Sequence, residues 1–288
     1  MLNKETFNKS IINSISEIVK LGIWCWNLID FVILYVLPRL IIRTKRSALL
    51  FNHIWNKYKR LLHLHYRLIH LPDGNRLITR AEKEEIATVY QIYYKKIYER
   101  MYKPNKDQFV IDVGAHIGIY TLKTAKTVGK NGLVLAIEPD PENYNLLIQN
   151  IKINNHNNII PINLALADYE GKGKLYIFSN SDAASLKTKS NSFKEVKVTK
   201  LDNLINRLNI NKVDIIKIDA EGMELEILMG AQQFISKSIS NLNLIIAAYH
   251  SKNEVSYIQD YLFKYRFNIN IINQCPGPYI FANKPAVV

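Results

Sequence analysis

The stretch from Phe109 to Asp140 restricts the possible folds more than any other part of the chain. An apolar run reaches Asp112, a turn bounded by Gly114 and Gly118 follows, and a helical pattern leads into a second apolar run that ends at Glu138. A strand, a glycine turn, a helix and a second strand in this order are typical of the nucleoside-binding half of a Rossmann-like sheet. The sequence therefore predicts an α/β domain that binds its ligand beyond the carboxyl ends of the strands.

The residues of the turn indicate which ligand fits. A dinucleotide site requires a middle glycine so that the backbone can approach a pyrophosphate, and His116 stands at that position. S-adenosylmethionine carries no phosphate, its cationic end suits Asp112 directly or through water, and its ribose hydroxyls can donate to Glu138. Histidine tolerates positive φ, so the turn can still form. We therefore expect S-adenosylmethionine as cofactor, held by Asp112, Gly114, Ala115, Gly118 and Glu138.

Several motifs resemble the FkbM family of S-adenosylmethionine-dependent methyltransferases, in that family's order and at about its spacing. They are D-V-G-A-H-I-G at 112–118, E-P-D at 138–140, N-L-A-L at 163–166, T-K-L-D-N-L at 199–204 and I-K-I-D-A-E-G-M-E at 216–224. The resemblance covers roughly residues 85 to 283. His116 departs from it, because the family more often has asparagine there. The resemblance implies the methyltransferase fold, the cofactor, and O-methylation of a hydroxyl on a sugar, glycan or secondary metabolite.

Alternating strands and helices continue to the C-terminus. Strands are predicted at 108–113, 132–138, 159–165, 213–218, 244–248, 269–272 and 279–282, and helices at 118–128, 141–154, from near 223, and at 254–264. An insertion adds strands at 175–178 and 195–198, with a polar loop between them. Because no helix separates the last two strands, we expect them to pair antiparallel. The predicted fold is a Rossmann-like, seven-stranded, mostly parallel sheet with an antiparallel terminal strand.

Polar residues follow several of the predicted strands, where ligands bind in open α/β sheets. These residues are Asp112, Glu138, Asn163, Asp219 and His250. We expect the segment from Asn163 to Ala165 to flank the adenine ring, and Asp168 to reach its exocyclic amine.

Transfer of a methyl group to a hydroxyl requires a base that takes the proton. The candidates are Asp219, Glu221 and His250, and Asp219 ranks first because it ends a strand beside the expected methyl group. Glu221 is equally consistent with a cap on the following helix. His250 titrates near neutrality but can equally be structural. Lys217 is expected to pair with a neighbouring acid. Asp219 and Glu221 alone do not make a metal site, so we expect no essential metal.

The basic excess of the chain belongs to its N-terminal third. Residues 1–107 hold 19 Lys and Arg against 9 Asp and Glu, a net charge of +10, whereas residues 108–288 hold 19 against 16. We predict a helical, basic N-terminal extension over 1–80 and a methyltransferase domain over 81–288. Within them, the patterns predict helices over 47–71 and 81–101 and a turn at 72–75.

An apolar, aromatic segment spans residues 21–42 of the extension. Its length is near that of a spanning helix, but Asp30 lies near its middle, where a charge is costly. A spanning helix, a membrane-surface helix and a helix packed on the domain all stay open. If the segment spans or anchors, the basic residues that follow it place the downstream domain on the cytoplasmic side. We therefore expect a cytoplasmic protein, with any membrane contact through residues 21–46 at the cytoplasmic face.

Two other functions remain as alternatives. The basic N-terminal third is compatible with a nucleic-acid methyltransferase, but the chain has neither an aromatic-basic RNA-recognition module nor an N-P-P-Y-type motif. A Rossmann-like protein that binds another nucleotide is the second. Cys25 and Cys275 show no disulfide framework or zinc spacing. The family resemblance implies a small-molecule or glycan acceptor as the partner, and the oligomeric state stays open.

Overall fold

The computed structural model describes residues 66–80, 83, 85–177, 184–187, 190–237 and 241–285. These residues belong to two units, the first ending at Ile86 and the second beginning at Ala87. The predicted boundary after residue 80 stays a prediction. The apolar segment 21–42 and the basic residues up to 46 lie outside the described residues. Within the described ranges, every helix is too short or too polar to cross a bilayer.

The described part of the first unit is a β-hairpin. Strand β1 (Tyr66–His70) pairs antiparallel with β2 (Arg76–Arg80) through the predicted turn at 72–75, which is confirmed. Gly74 has a φ of 86°, and the Asp73 side chain accepts a hydrogen bond of 3.0 Å from the Asn75 amide. The helix predicted over 47–71 is wrong at residues 66–70, which form strand β1. Pairing with β2 fixes this segment as a strand, and the periodicity of its own residues does not reveal that partner.

The remaining strands, in chain order, are β3 (Phe109–Val113), β4 (Leu133–Ile137), β5 (Ile159–Ile162), β6 (Ala165–Leu166), β7 (Gly171–Ile177), β8 (Ala184–Ser185), β9 (Ser192–Thr199), β10 (Ile215–Ile218), β11 (Leu242–Ala247), β12 (Asn268–Asn273) and β13 (Pro278–Lys284). The α-helices are α1 (Glu85–Tyr90), α2 (Ile119–Val128), α3 (Pro141–Asn154), α4 (Leu201–Arg207), α5 (Glu224–Gly230), α6 (Gln232–Lys237) and α7 (Glu254–Phe263).

Seven strands form the main sheet in the order β12-β13-β11-β10-β3-β4-β5. All neighbours pair in parallel except β13, which is antiparallel to both β11 and β12. The predicted seven-stranded, mostly parallel sheet is therefore confirmed. Its central strands are buried along nearly their whole length, as parallel strands covered on both faces must be. This arrangement brings the carboxyl ends of β3, β4, β10 and β11 to one edge.

Helix α3 shows how local sequence sets an element. Asp140 caps it by accepting a hydrogen bond of 2.7 Å from the Glu142 amide, and Pro141 occupies the first turn, as predicted. At the other end, Asn155 adopts a left-handed φ of 54° and ends the helix.

The structure corrects several predicted elements. The strand predicted at 159–165 is two strands, because the chain leaves the main sheet after Ile162 and β6 joins a second sheet in the order β6-β9-β7-β8. The predicted strands of the insertion are confirmed as the antiparallel pair β7 and β9.

The helix predicted over 81–101 is wrong beyond Lys95. There a π-helical turn (Gln91–Lys95) follows α1, and Lys96 turns left-handed at a φ of 52°. Helices α4 and α6 were not predicted.

Candidate active site

A cavity of about 210 Å³ lies at the carboxyl edge of the main sheet, within the second unit. Six of the predicted site residues line it, namely Gly114, Ala115, Glu138, Ala165, Asp219 and Glu221. Five do not line it, namely Asp112, Gly118, Asn163, Asp168 and His250. We call the part formed by the glycine turn (Gly114–Gly118) and Glu138 the turn end, and the part around Asp219, Glu221 and His250 the acidic end.

The glycine turn has the expected left-handed backbone. Gly114 and His116 have φ values of 74° and 53°, so the prediction that histidine can form this turn is confirmed. The amides of Gly114 and Ala115 both donate to the Ile137 carbonyl oxygen at 3.0 Å, which ties the turn to the end of β4. A Cβ atom on Gly114 would lie 1.9 Å from the carbonyl oxygen of Asp219. Only glycine therefore allows the turn to contact the residue that follows β10.

Glu138 is buried at the end of β4, with 5% of its surface exposed. Its Oε2 accepts from the His116 amide at 2.8 Å, and its Oε1 accepts from the Asp140 amide at 3.0 Å and from Asn143 Nδ2 at 3.3 Å. Burial raises the pKa of Glu138 to about 7, although these hydrogen bonds oppose the rise. Three donors occupy three of about four lone-pair positions of a carboxylate, which leaves roughly one for a ligand hydroxyl.

Asp112 is fully buried behind the turn rather than on the cavity wall. Its carboxylate accepts from Thr121 Oγ1 at 2.6 Å and lies 3.0 Å from Lys217 Nζ, which confirms the predicted pairing of Lys217 with an acid. The same ammonium donates to the carbonyl oxygens of Val113 at 3.1 Å and Gly114 at 2.8 Å, and Lys217 lines the cavity. Any contact between Asp112 and a cofactor in the cavity would therefore run through Lys217 or the turn.

The residues predicted to meet adenine lie differently from the expectation. Asn163 is exposed, and its Nδ2 donates to the carbonyl oxygens of Glu138 at 2.8 Å and Pro139 at 3.1 Å, so it braces the end of β4. Asp168 lies outside the cavity. The lining here is the apolar run Leu164, Ala165 and Leu166. The adenine contacts predicted for Asn163 and Asp168 therefore have no geometric support, because the chain bends out of the sheet between β5 and β6.

Gly118 supports the site from behind the cavity. It precedes α2 with a φ of 95°, and a Cβ atom there would lie 2.7 Å from the Leu147 side chain of α3. Gly118 therefore allows close packing of the helix that follows the turn, and its contact with the cofactor stays a prediction.

At the acidic end, side chains from three segments converge. Asp219 Oδ1 lies 3.5 Å from His250 Nε2, and Glu221 Oε2 lies 3.7 Å from the same nitrogen. The other oxygen of Asp219, Oδ2, accepts a hydrogen bond of 2.5 Å from the hydroxyl of Tyr98. The structure therefore brings the three predicted catalytic residues together and adds a tyrosine that fixes the orientation of Asp219.

Two further carboxylates hold His250 from behind. Glu224, which is fully buried, lies 3.1 Å from His250 Nδ1 and accepts from the Ala220 amide at 2.8 Å. Glu254 accepts from the His250 amide at 2.8 Å. Burial lowers the pKa of His250, but the hydrogen bond and charge of Glu224, together with Asp219 and Glu221, outweigh it and raise the pKa to about 9. His250 is therefore protonated at neutral pH in this environment.

Glu221 lies in a strained backbone conformation. Its φ is 54°, and its carbonyl oxygen accepts a hydrogen bond of 2.7 Å from Ser185 Oγ. Left-handed conformations of long side chains cost about 1–3 kcal/mol. The capping alternative is wrong, because α5 begins at Glu224 and its N-cap, Met223, has no side-chain cap. Partial burial and the charge of Asp219 raise the pKa of Glu221 to about 7.

A family model described as the methyltransferase FkbM domain matches residues 112–269, more than half of the chain. The chain belongs to the FkbM methyltransferase family. The match spans the glycine turn, Glu138, Asp219, Glu221 and His250, whereas Tyr98, which binds Asp219, precedes it.

Curated relatives and a solved structure agree with the family. "Methyltransferase 1" of Beauveria bassiana is 25% identical over 52% of this chain and 69% of its own length. A tRNA(Phe) (4-demethylwyosine(37)-C(7)) aminocarboxypropyltransferase of Methanocaldococcus jannaschii is 47% identical over 20% of this chain and 23% of its length. The hexuronic acid methyltransferase AglP of Haloferax volcanii is 24% identical over 51% of this chain and 57% of its length. The chain thus spans less than two thirds of the latter two relatives.

The crystal structure of an FkbM methyltransferase from Methylobacillus flagellatus has the same fold as this chain. The two superpose with a TM-score of 0.50 at 20% sequence identity, over 67% of this chain and 47% of the other.

The cofactor of this FkbM methyltransferase is S-adenosylmethionine. The cavity fits it, because Glu138 retains an acceptor position for a ribose hydroxyl, the segment Leu164–Leu166 offers an apolar wall, and Asp219 and Glu221 present negative charge to a sulfonium. A pyrophosphate would require a glycine at position 116 so that the backbone could approach it, and His116 stands there instead.

Sequence reasoning missed four residues of the site. Asn143 and Glu224 each stand five residues after Glu138 and Asp219, in the first turn of the helix that follows, and this placement is a usable signal. Tyr98 and Tyr249 carried no signal. Tyr98 is 121 residues distant from Asp219, and only the folded chain brings the two together.

Proposed function

We propose that this FkbM methyltransferase transfers a methyl group to a hydroxyl oxygen of a sugar, a glycan or a hydroxylated secondary metabolite. The observation that carries the proposal is the Asp219 carboxylate, which lines the cavity directly beside the cofactor turn. Tyr98 holds one of its oxygens, and the other faces His250. A fixed carboxylate at this position suits the acceptance of a proton from a hydroxyl.

The turn end is proposed to hold the cofactor. Glu138 would accept from a ribose hydroxyl, Gly114 and Ala115 would approach the amino-acid part, and Ala165 would contact the adenine. Asp112 would act through Lys217, whose ammonium it positions beside the turn. The buried charge of Lys217 is then available to attract the cofactor carboxylate.

The acidic end is proposed to remove the proton of the acceptor hydroxyl. S-adenosylmethionine, when bound, supplies an electrophilic methyl group. As the acceptor oxygen gains the methyl group, its proton must leave, and Asp219 is placed to take it. His250 already holds a proton at neutral pH, so it stabilises the ionised form of Asp219 rather than acting as the base. Glu221 would hydrogen-bond the acceptor.

The hexuronic acid methyltransferase from Haloferax volcanii supports a sugar acceptor. The test is transfer of label from methyl-tritiated S-adenosylmethionine to a panel of neutral sugars, uronic-acid glycans and hydroxylated metabolites. A methyl ether resists mild alkali, whereas a methyl ester on a carboxylate is hydrolysed. Alkali-stable label on a hydroxylated acceptor supports the proposal, and label that is released entirely as methanol contradicts it.

The role of Asp219 has its own test. With a labelled acceptor in hand, Asp219→Asn should lower kcat by about 10²–10⁴, the usual value of a general base, while S-adenosylhomocysteine affinity stays within about twofold. His250→Ala should lower kcat less. Near-full turnover by Asp219→Asn with intact cofactor binding would remove Asp219 from the mechanism.

The alternative of a nucleic-acid acceptor rests on the basic N-terminal third and on the relative that acts on tRNA(Phe). Asp219 and Glu221 disfavour it, since carboxylates on the cavity wall repel a phosphate backbone. Inclusion of tRNA in the same panel separates the two: label precipitated with RNA and released by ribonuclease would favour the alternative.

A further inference from the structure

We propose that Asp219, Glu221 and His250 form a binding site for one divalent metal ion of the Mn²⁺ class at the acidic end of the cavity. Ion binding itself needs nothing from the proposed function, whereas the role given to the ion below rests on it.

The geometry of the three side chains points to a shared ion. Each offers one ligand atom, and these atoms all lie within 4.8 Å of one another. His250 Nε2 lies 3.5 Å from Asp219 Oδ1 and 3.7 Å from Glu221 Oε2. These distances exceed the usual N–H···O range of about 2.7–3.2 Å. They match the separation of about 3–4.5 Å between neighbouring ligands whose bonds to one ion are about 2.0–2.3 Å long.

An independent observation concerns the imidazole. The His250 side chain is only 10% exposed, and neither ring nitrogen makes a hydrogen bond of normal geometry with the residues that the structure describes. Nδ1 still has a carboxylate oxygen of Glu224 at 3.1 Å, whereas the carboxylate oxygens at Nε2 lie 3.5 and 3.7 Å away. Buried polar atoms are nearly always satisfied, so one that is aimed between two carboxylates calls for a ligand there. A metal ion that binds Nε2 and both carboxylate oxygens would satisfy all three groups.

The supporting contacts are those that a metal-binding histidine requires. Such a histidine almost always presents its second ring nitrogen to a carboxylate or carbonyl, which fixes the tautomer. Here His250 Nδ1 lies 3.1 Å from Glu224, whose own position is fixed by the Ala220 amide. Tyr98 binds Oδ2 of Asp219 and so leaves Oδ1 directed at the site.

The charges around the site also favour a cation. Asp219, Glu221, Glu224 and Glu254 surround a single imidazole. Lys217, which also lines the cavity, is held by Asp112 and by two carbonyl oxygens. A divalent ion would offset part of this negative charge.

Two carboxylates and one imidazole form a mixed oxygen and nitrogen donor set, which suits Mn²⁺ better than an all-oxygen Mg²⁺ or Ca²⁺ site. The sequence named all three residues as candidate bases, and folding brings His250 beside Asp219 and Glu221. Three protein ligands leave positions for two acceptor oxygens. The acceptor would therefore be a chelating oxygen compound, either a vicinal diol or a hydroxyl beside a carboxylate. With the ion bound, His250 would be a neutral ligand and Asp219 a ligand rather than the base. The ion would lower the pKa of the acceptor hydroxyl, whose proton would leave to solvent, and would stabilise the alkoxide until it takes the methyl group.

The test is a titration of the chelator-treated, full-length protein with MnCl₂, in which free Mn²⁺ is measured by electron paramagnetic resonance. We expect one site per chain with a micromolar dissociation constant. His250→Ala and Glu221→Gln should each weaken it by at least about tenfold. The matched control is Glu226→Gln, an acid of α5 whose partner is Lys187 rather than the cavity, and it should leave the affinity unchanged.

Two results would overturn the site: no stoichiometric binding up to about 1 mM Mn²⁺, or equal affinity in the wild type and both variants. S-adenosylhomocysteine binding by the same samples shows that they are folded, and the partly exposed Glu221 gives a second variant if His250→Ala unfolds. Absent Mn²⁺ binding with alkali-stable methyl transfer refutes the ion and leaves the proposed function. Mn²⁺ binding without such transfer refutes the proposed function and leaves the metal site.

Discussion

The two ends of the cavity are built in opposite ways. The turn end consists largely of backbone groups and of residues close in sequence, such as the His116 amide and Glu138. The acidic end consists of side chains from distant segments, in which Tyr98 reaches Asp219 across 121 residues. The first is held by main-chain hydrogen bonds, and the second by charged groups that must be oriented by one another.

This difference separates binding from chemistry. Main-chain contacts fix a shape at low electrostatic cost, which suits the recognition of a cofactor. The acidic end concentrates carboxylates and a strained Glu221 with a φ of 54°, which lower stability unless a ligand or a reaction uses them. The predictions below test whether the two ends respond to mutation as differently as they are built.

The largest effect is expected at the point where the two ends meet. Gly114→Ala would place a Cβ atom 1.9 Å from the Asp219 carbonyl oxygen and would also strain the left-handed backbone. We expect the free energy of unfolding to fall by about 3–5 kcal/mol, or folding to fail, as judged by urea denaturation. The control is Gly129→Ala, where φ is 71° and the added Cβ atom would meet nothing within 4 Å, with an expected loss of about 1–3 kcal/mol. Equal losses at both positions would show that the close approach is unimportant.

A smaller effect is expected from the long-range contact of the acidic end. Tyr98→Phe keeps the ring contacts with Tyr120 and Tyr279 but removes the hydroxyl that binds Asp219. The free energy of unfolding should fall by about 1–2 kcal/mol, with S-adenosylhomocysteine affinity unchanged. Tyr144→Phe serves as comparison, since its hydroxyl lies 3.4 Å from the Pro161 carbonyl oxygen and should matter less. A loss of cofactor binding in Tyr98→Phe would mean that the two ends are not separate.

The smallest effect is a dependence of cofactor affinity on pH. The pKa of Glu138 is about 7, so the carboxyl is ionised above that pH and protonated below it. The ionised form accepts the ribose hydroxyl, so S-adenosylhomocysteine affinity should fall as pH decreases, by up to about tenfold per unit below 7. Calorimetric titrations between about pH 5.5 and 8 would measure it. Glu138→Gln should bind weakly and show a flat profile, and a flat wild-type profile would contradict the assignment.

What could be read from the sequence follows the same division. The strand, turn and helix around Gly114, the left-handed His116 and the first-turn Pro141 depend on neighbours in the chain, and all three predictions are confirmed. The antiparallel β13 was also readable, because the absence of a helix before it is a local fact.

The rest depends on contacts that no local pattern encodes. Sequence placed Asp112 in the cavity because it lies at a strand end, but the buried Lys217 from β10 turns its carboxylate inward. The sequence predicts that the strand continues past Ile162. Instead, the chain leaves the main sheet there, and β6 pairs with β9, which lies more than thirty residues later in the chain. The hydrophobic pattern is compatible with either arrangement, and tertiary pairing decides between them.

The environment of Lys217 has a consequence for chemical labelling. This side chain lines the cavity, yet its ammonium contacts Asp112 at 3.0 Å, the Val113 carbonyl at 3.1 Å and the Gly114 carbonyl at 2.8 Å. Two hydrogen bonds to carbonyl oxygens and the facing charge of Asp112 hold the ammonium in place. Amine-directed reagents that enter the cavity should therefore spare Lys217 while they modify exposed lysines, and its reactivity should appear only when the glycine turn opens.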